Sequence, residues 1–179
     1  TGRKTFITNG GVDETTLGDC FIVYAATAPK TISSFLVEKG MPGFALGQQW
    51  KDKLGMRASF TSELVFDEVP VPLANQIGAD GEGTIHMMRN LEIERVTLAA
   101  MSLGIAQRSL QVMVDYANER KAFGKAIRDF GQIQRYVAES FAEWRSARTF
   151  VYDVARRLDL HSVGQRLDAD ATKLVASQM

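Results

Sequence analysis

The residue with the clearest potential for chemistry is a glutamate in an apolar helical stripe. At helical spacing, one face of a predicted helix carries Met87, Leu91, Glu94, Leu98, Met101 and Ile105. Burial disfavours an ionised carboxylate and raises its pKa, which suits a general base working near neutral pH. An alternative register puts Glu94 at the solvent edge of a core faced instead by Ile93, Val96, Ala100 and Leu103.

Composition narrows the classes of protein that this chain can represent. Its 179 residues are 45% apolar, enough for a substantial core, and 21 basic residues balance 21 acidic ones. No basic block predicts nucleic-acid binding, and no apolar run is long enough to span a bilayer. The single cysteine, Cys20, excludes an intrachain disulfide, and we expect it to pack inside a buried strand. With only His86 and His161, no metal site is predicted.

The chain changes character near its middle, from β-type to helical patterning. Strands are predicted over residues 4–8, 20–26, 32–38 and 62–69. In the last strand, Leu64 and Phe66 alternate and predict one buried face, and prolines end the strand. A run of strands followed by a run of helices predicts the α+β class. We expect an antiparallel β-domain portion over 1–82, followed by long antiparallel helices of a helical bundle over 83–179.

The helical half is divided by two predicted breaks. Helices are expected over residues 84–117, 133–158 and 166–179, with a connection at 119–125 and a short break at 160–164. The third helix is expected to turn Leu167, Ala171 and Leu174 inward. Both ends of the chain fall within a pattern, which suggests a piece of a longer protein.

Several short stretches, in this order and spacing, carry a family resemblance. They are GRKTFITNG (2–10), FLVEKGMPG (35–43), KLGMRAS (53–59), LVFD with VPVP (64–72) and RKAFG (120–124). The chain resembles the acyl-CoA dehydrogenases, flavoproteins that oxidise the Cα–Cβ bond of acyl-CoA thioesters, and is nearest to the isovaleryl-CoA subgroup. The resemblance implies the late middle β-domain and the first helices of the C-terminal helical domain.

The resemblance implies FAD as cofactor and names residues that bind it. Phe6, Ile7 and Thr8 match a motif that lies against the flavin ring, with Phe6 where the family usually has tryptophan. Arg120 and Phe123 match a segment that meets the FAD of the partner subunit; a guanidinium suits a pyrophosphate. Gly131 departs from a glutamine common in relatives, and the neighbouring Gln132 is the alternative polar contact.

The resemblance also implies a catalytic base. Glu94, directly before Arg95, matches the glutamate that isovaleryl-CoA and long-chain dehydrogenases use to remove the α-proton, while the β-hydrogen leaves as hydride to flavin N5. Glu92 and Arg95 match contacts to the CoA thioester. Ile85 replaces a tyrosine expected near the acyl chain in isovaleryl enzymes. The expected reaction is dehydrogenation of a short or branched acyl-CoA, as in fatty acid or leucine catabolism.

Three other functions stay open at this point. The base could be a distal glutamate outside this chain, the protein could be an acyl-CoA oxidase, or the helices could form a non-catalytic, flavin-free assembly module. For a dehydrogenase, the resemblance implies electron-transfer flavoprotein as acceptor and a homo-oligomer arranged as a dimer of dimers. The expected location is the mitochondrial matrix in a eukaryote or the cytoplasm in a bacterium. Activity is expected of the intact protein, because the piece alone lacks much of the pocket.

Overall fold

The computed structural model describes residues 1–159 and 166–179. They divide into two compact units, Thr1–Met87 and Met88–Met179. Antiparallel sheets in the first unit and three helices confirm the predicted α+β class. The predicted break at 160–164 lies outside the described residues, and the domain boundary predicted between residues 82 and 83 stays a prediction.

The strands of the first unit form two three-stranded antiparallel sheets. One sheet has the strand order β1-β5-β4 and the other β2-β3-β6. The strands are β1 (Gly2–Thr8), β2 (Cys20–Ala28), β3 (Thr31–Glu38), β4 (Phe44–Gln49), β5 (Thr61–Phe66) and β6 (Gln76–Ile77). Strand β4 was not predicted, because Gly47 interrupts its alternation.

The apolar core of this unit joins the two sheets. Val37 from β3 is buried with Phe44, Leu64 and Phe66 from the other sheet. The rings of Phe44 and Phe66 stack with their centroids 4.9 Å apart, which confirms the predicted inward face of β5. The prediction for Cys20 is wrong: its side chain is exposed, because the alternate residues Phe21 and Val23 take the face of β2 that packs on the core.

Glu63 in β5 lies opposite two irregularities in the sheet. Between matching pairs, β1 and β4 each have one residue more than β5, so each outer strand places two residues against Glu63. The Glu63 carboxylate is buried and accepts hydrogen bonds from Arg3 Nη1 and from the backbone N–H of Gln48, both at 3.3 Å. A Cβ on Gly47 would come within 2.4 Å of that carboxylate. The side chain of Glu63 therefore accepts a hydrogen bond from a bulge N–H that has no partner in the strand ladder.

We expect Glu63→Ala to lower the free energy of unfolding by about 2 kcal/mol, because the part-buried Gln48 N–H loses its acceptor. Glu63→Gln keeps an acceptor and should cost clearly less. Urea unfolding of both variants measures the difference. Equal losses in the two variants would show that the charge of Glu63, rather than its acceptor, stabilises the bulges.

A hydrogen-bonded cluster fixes the loop that leads into the helical part. Asp80 Oδ1 accepts from Ser33 Oγ and, at 2.9 Å, from Thr27 Oγ1. Ser33 Oγ in turn accepts from the backbone N–H of Gly81. The hydrogen bonds from Ser33, and then those from Thr27 and Gly81, lower the pKa of Asp80 below its usual value of 3.8. The ionised form of Asp80 thus ties this loop to strands β2 and β3.

The stability that Asp80 supplies should depend on pH. A pKa lowered by folding contributes stability above 3.8, and this contribution is lost as the pH falls through the lower folded pKa. Wild type should therefore exceed Asp80→Asn in unfolding free energy at neutral pH, and the gap should close in acid. Urea unfolding over that range, with the exposed Asp52→Asn as control, measures the gap. A gap that is constant with pH would contradict the prediction.

The second unit is built from helices whose contacts use small side chains. The helices are α1 (Gly83–Glu119), which begins in the first unit, α2 (Gly131–Arg157) and α3 (Arg166–Gln178). The predicted positions of all three helices agree with these bounds to within two residues. Buried side chains from all three form the core: Val96, Ala99, Leu103, Ala147, Val151, Val154, Ala169 and Ala176.

The inward face predicted for α3 is wrong. Leu167 and Leu174 are 80% and 55% exposed, whereas Ala169, Thr172 and Ala176 are buried. The small residues of α3 pack into the core clusters with α1 and α2, and the two leucines lie on the opposite face of the helix. Ala171, the third residue of the prediction, is half-buried. None of the helices in the described ranges combines the length and apolar character needed to cross a membrane. Among the same residues, no His, Cys, Asp and Glu side chains group as metal ligands.

Candidate active-site and cofactor-binding residues

Glu94 lies on the exposed side of α1. The stripe that the helix buries is Glu92, Val96, Ala99 and Leu103, two positions away from the predicted one. Met101 and Ile105, expected to be buried alongside Glu94, are exposed as well. The alternative register, with Glu94 at the solvent edge, is therefore the one that the described residues adopt, and its members Val96 and Leu103 are buried while Ala100 is not.

Glu92 and Arg95, which were predicted to bind substrate, lie in different surroundings. Glu92 is 7% exposed and shares the buried stripe. Arg95 is half-buried, and its Nε lies 2.8 Å from Asp170 Oδ1 of α3. An arginine–carboxylate pair of this kind orients the guanidinium and offsets part of its charge. Asp170 was not among the predicted site residues, because the pairing of α1 with α3 depends on tertiary packing.

The Phe6-Ile7-Thr8 motif ends strand β1 and begins within its bulge. Phe6 has a left-handed backbone conformation, with φ at 59°, and its side chain is 68% exposed. Ile7 points the other way and packs on the apolar core of the first unit. Thr8 is exposed and pairs with Thr61 of β5. The bulge therefore turns an aromatic ring and a hydroxyl outward while Ile7 anchors the strand.

Arg120 and Phe123 belong to a small hairpin between α1 and α2. Strands β7 (Lys121–Ala122) and β8 (Lys125–Ala126) pair around a two-residue turn, in which Phe123 and Gly124 both have positive φ. Positive φ at both central positions is typical of a type I′ turn. The Arg120 carbonyl accepts from the Ile127 N–H at 2.8 Å, which closes the hairpin.

The two residues of the hairpin that were predicted to bind FAD are exposed to solvent. Phe123 is 96% exposed, and the Arg120 side chain is exposed too. Helix α2 begins at Gly131, shortly after this hairpin, and its N-cap residue, Phe130, makes no side-chain capping hydrogen bond. The partial positive charge at this helix start favours an anion. Gln132, the alternative contact named from the sequence, is exposed in the first turn.

One aromatic residue that lies beside the Phe6 motif was not predicted from the sequence. The ring of Trp50, which follows β4, contacts the ring of Phe6 with centroids 4.5 Å apart and planes tilted by 38°. No local motif includes Trp50, and its proximity depends on β1 and β4 flanking the same strand. One signal in the sequence could have indicated Trp50. The motif has Phe6 where the family usually has tryptophan, and Trp50 is a tryptophan to which no role was assigned.

Comparison with known proteins places this arrangement in a family. The acyl-CoA dehydrogenase middle-domain model matches residues 1–69, and the acyl-CoA dehydrogenase C-terminal-domain model matches residues 81–179. A similar curated protein is the mitochondrial isovaleryl-CoA dehydrogenase of Oryza sativa subsp. japonica, 42% identical over 169 residues, which are 92% of this chain and 40% of that protein.

Solved structures agree with these matches. Butyryl-CoA dehydrogenase from Megasphaera elsdenii superimposes with a TM-score of 0.90 at 37% identity, covering 99% of this chain and 45% of that one. A structure from work on the electron transferring flavoprotein of Acidaminococcus fermentans gives the same TM-score and identity over 99% of this chain and 46% of that one. The chain thus spans less than half the length of these relatives. Because both family models match in succession along its length, the chain belongs to the acyl-CoA dehydrogenase family.

Proposed function

We propose that the intact protein is an FAD-dependent acyl-CoA dehydrogenase acting on a short or branched acyl-CoA. The observation that carries this proposal is the succession of two acyl-CoA dehydrogenase domain models along one chain. The similarity to an isovaleryl-CoA dehydrogenase and to a butyryl-CoA dehydrogenase supports a short or branched acyl group. Ile85, in place of the tyrosine of isovaleryl enzymes, leaves the choice between these groups to experiment.

The exposed residues of the chain have the chemistry that FAD requires. Phe6 offers an open aromatic face, and Thr8 offers a hydroxyl one strand position beyond the inward-facing Ile7. In the second unit, Arg120 and the start of α2 supply positive charge for a diphosphate, next to the exposed ring of Phe123. We assign these residues to FAD binding, with Arg120 and Phe123 directed to the FAD of a partner subunit.

In the proposed reaction, a carboxylate oxygen of Glu94 removes the α-proton of the acyl thioester. A bound FAD would supply the hydride acceptor for the β-hydrogen, so that the substrate would lose two electrons and two hydrogens and become the enoyl thioester. Arg95 binds the CoA portion, and the Asp170 carboxylate holds the Arg95 guanidinium in place. The contact of the buried Glu92 with CoA stays a prediction. Positioning the base against a weakly acidic carbon supplies much of the rate enhancement.

The same proposal includes the electron acceptor, the oligomeric state and the location of the enzyme. Electron-transfer flavoprotein is the proposed acceptor, in keeping with the similarity to the Acidaminococcus fermentans structure. A groove of about 610 Å³ along α1 and α2, lined by apolar side chains that include Val114, Val137 and Phe141, supports assembly into a homo-oligomer. The proposed location is the mitochondrial matrix or, in a bacterium, the cytoplasm.

A second candidate keeps the reaction but moves the base. The described residues leave Glu94 exposed, whereas an efficient base towards a carbon acid works best when desolvated. A distal glutamate outside this chain would then remove the α-proton, and Glu94 would only balance the charge of Arg95. Substitution of Glu94 separates the two candidates.

We expect Glu94→Gln in the intact protein to slow α-proton removal at least about 100-fold, because the amide cannot accept the proton. Exchange of the substrate α-hydrogen in deuterated water measures this step. Glu139→Gln, on the exposed face of α2, is the matched control and should exchange at the wild-type rate. A near-normal rate in Glu94→Gln would assign the base to the distal position.

Anaerobic mixing of the intact protein with isovaleryl-CoA or butyryl-CoA tests the reaction as a whole. We expect the visible flavin band to bleach with at least one of them, because dehydrogenation reduces the flavin. The faster substrate identifies the acyl preference. Rapid peroxide formation in air would instead indicate an oxidase. A protein that stays colourless after addition of FAD would contradict the proposal and favour a non-catalytic assembly module.

A further inference from the structure

An aromatic pair lies at the surface of the first unit, away from the apolar core. Phe6 contacts Trp50 through one side of its ring, yet 68% of Phe6 is exposed. The other side of the ring therefore faces solvent. Phe6 also keeps a left-handed backbone conformation that disfavours a residue with a side chain. Strain of this kind is typical of sites where a side chain is held in place for a ligand.

The two strand bulges bring this pair together. Strands β1 and β4 flank β5, so their backbones lie about 10 Å apart. Each strand has its extra residue opposite Glu63. Phe6 lies in the β1 bulge, and Trp50 comes shortly after the β4 bulge. Bulges bend a strand and re-aim its side chains. Without them, the rings of Phe6 and Trp50 would have to meet from regular strands separated by β5.

Trp50 is firmly attached to the strand that also holds the Phe6 motif. Its backbone N–H donates to the Thr61 carbonyl at 2.9 Å, and Thr61 is the partner of Thr8 in β1. Lys53 Nζ donates to Thr61 Oγ1 at 2.9 Å, which fixes the segment after Trp50. One residue of β5 therefore sets the positions of both Trp50 and the Phe6-Ile7-Thr8 motif.

We propose that Trp50 is a positioning residue for cofactor binding: Phe6 and Trp50 form one aromatic platform, and the open face of Phe6 stacks on a planar heteroaromatic ring. This inference rests on the proposed binding of FAD and names its flavin as that ring. The phenyl ring of Phe6 has a smaller area than the indole usual at this position in the family. Trp50, which follows β4 on the far side of β5, supplies the missing indole behind Phe6 and keeps the smaller ring from rotating away.

The test uses FAD titration of the apoprotein prepared from the intact protein. We expect Trp50→Ala to weaken FAD binding roughly fivefold to tenfold, the effect of losing one aromatic contact. Trp50→Phe should retain most of the affinity. The double variant with Phe6→Trp and Trp50→Ala should recover it, because the indole then stands at position 6 itself. Tyr152→Leu, which removes an exposed aromatic side chain of α2, is the control and should bind FAD like wild type.

The outcomes separate this inference from the proposed function. Thermal unfolding of each apoprotein shows whether it is folded, and Trp50→Leu replaces Trp50→Ala if the alanine variant does not fold. Wild-type affinity in the folded alanine or leucine variant would overturn the role of Trp50 while leaving FAD binding intact. Failure of the double variant to recover affinity would also overturn it, since Trp50 would then act only through the sheet. An apoprotein of wild-type sequence that binds no FAD would overturn both proposals.

Discussion

The buried carboxylate of Glu63 is the constraint on which the first unit depends. A bulge leaves a backbone N–H without a ladder partner, and an unpaired N–H screened from water is costly. Glu63 accepts a hydrogen bond from the N–H of Gln48 in the β4 bulge and, on the other side, one from the guanidinium of Arg3 in β1. Gly47 leaves the space that this carboxylate occupies. One side chain of β5 therefore permits irregular strands on both edges; the β1 bulge contains Phe6, and the β4 bulge precedes Trp50.

The register of α1 imposes a comparable constraint on the proposed base. At 3.6 residues per turn, positions 92 and 94 point about 200° apart, so a helix that buries one must expose the other. Contacts with α2 and α3 select the line from Glu92 to Leu103. Glu94 consequently faces away from the core that stabilises the helix. A residue in this position is available to substrate, and any desolvation of Glu94 must come from groups other than this core.

Local patterns predicted the element types well and the packing faces less well. The alternation of Leu64 and Phe66 reports burial directly, because the neighbouring sheet covers that face of β5. In α3 the same reasoning failed, since the small residues Ala169 and Ala176 form the buried face and the leucines lie on the opposite one. The family and its motifs were accessible from short ordered stretches of sequence. The contacts of Trp50 with Phe6 and of Arg95 with Asp170 were not, because each joins distant segments.

The two aromatic residues assigned to FAD share features that are hard to explain by folding alone. Phe6 and Phe123 each have positive φ, and each exposes most of its side chain. Asparagine or glycine would relieve the backbone strain at either position, and neither ring contributes much to a core. In both places the backbone is locked by its surroundings, through the bulge beside Glu63 and through the hairpin closed by Arg120 and Ile127. Exposed rings kept in strained, well-fixed conformations favour a role in ligand binding over one in stability.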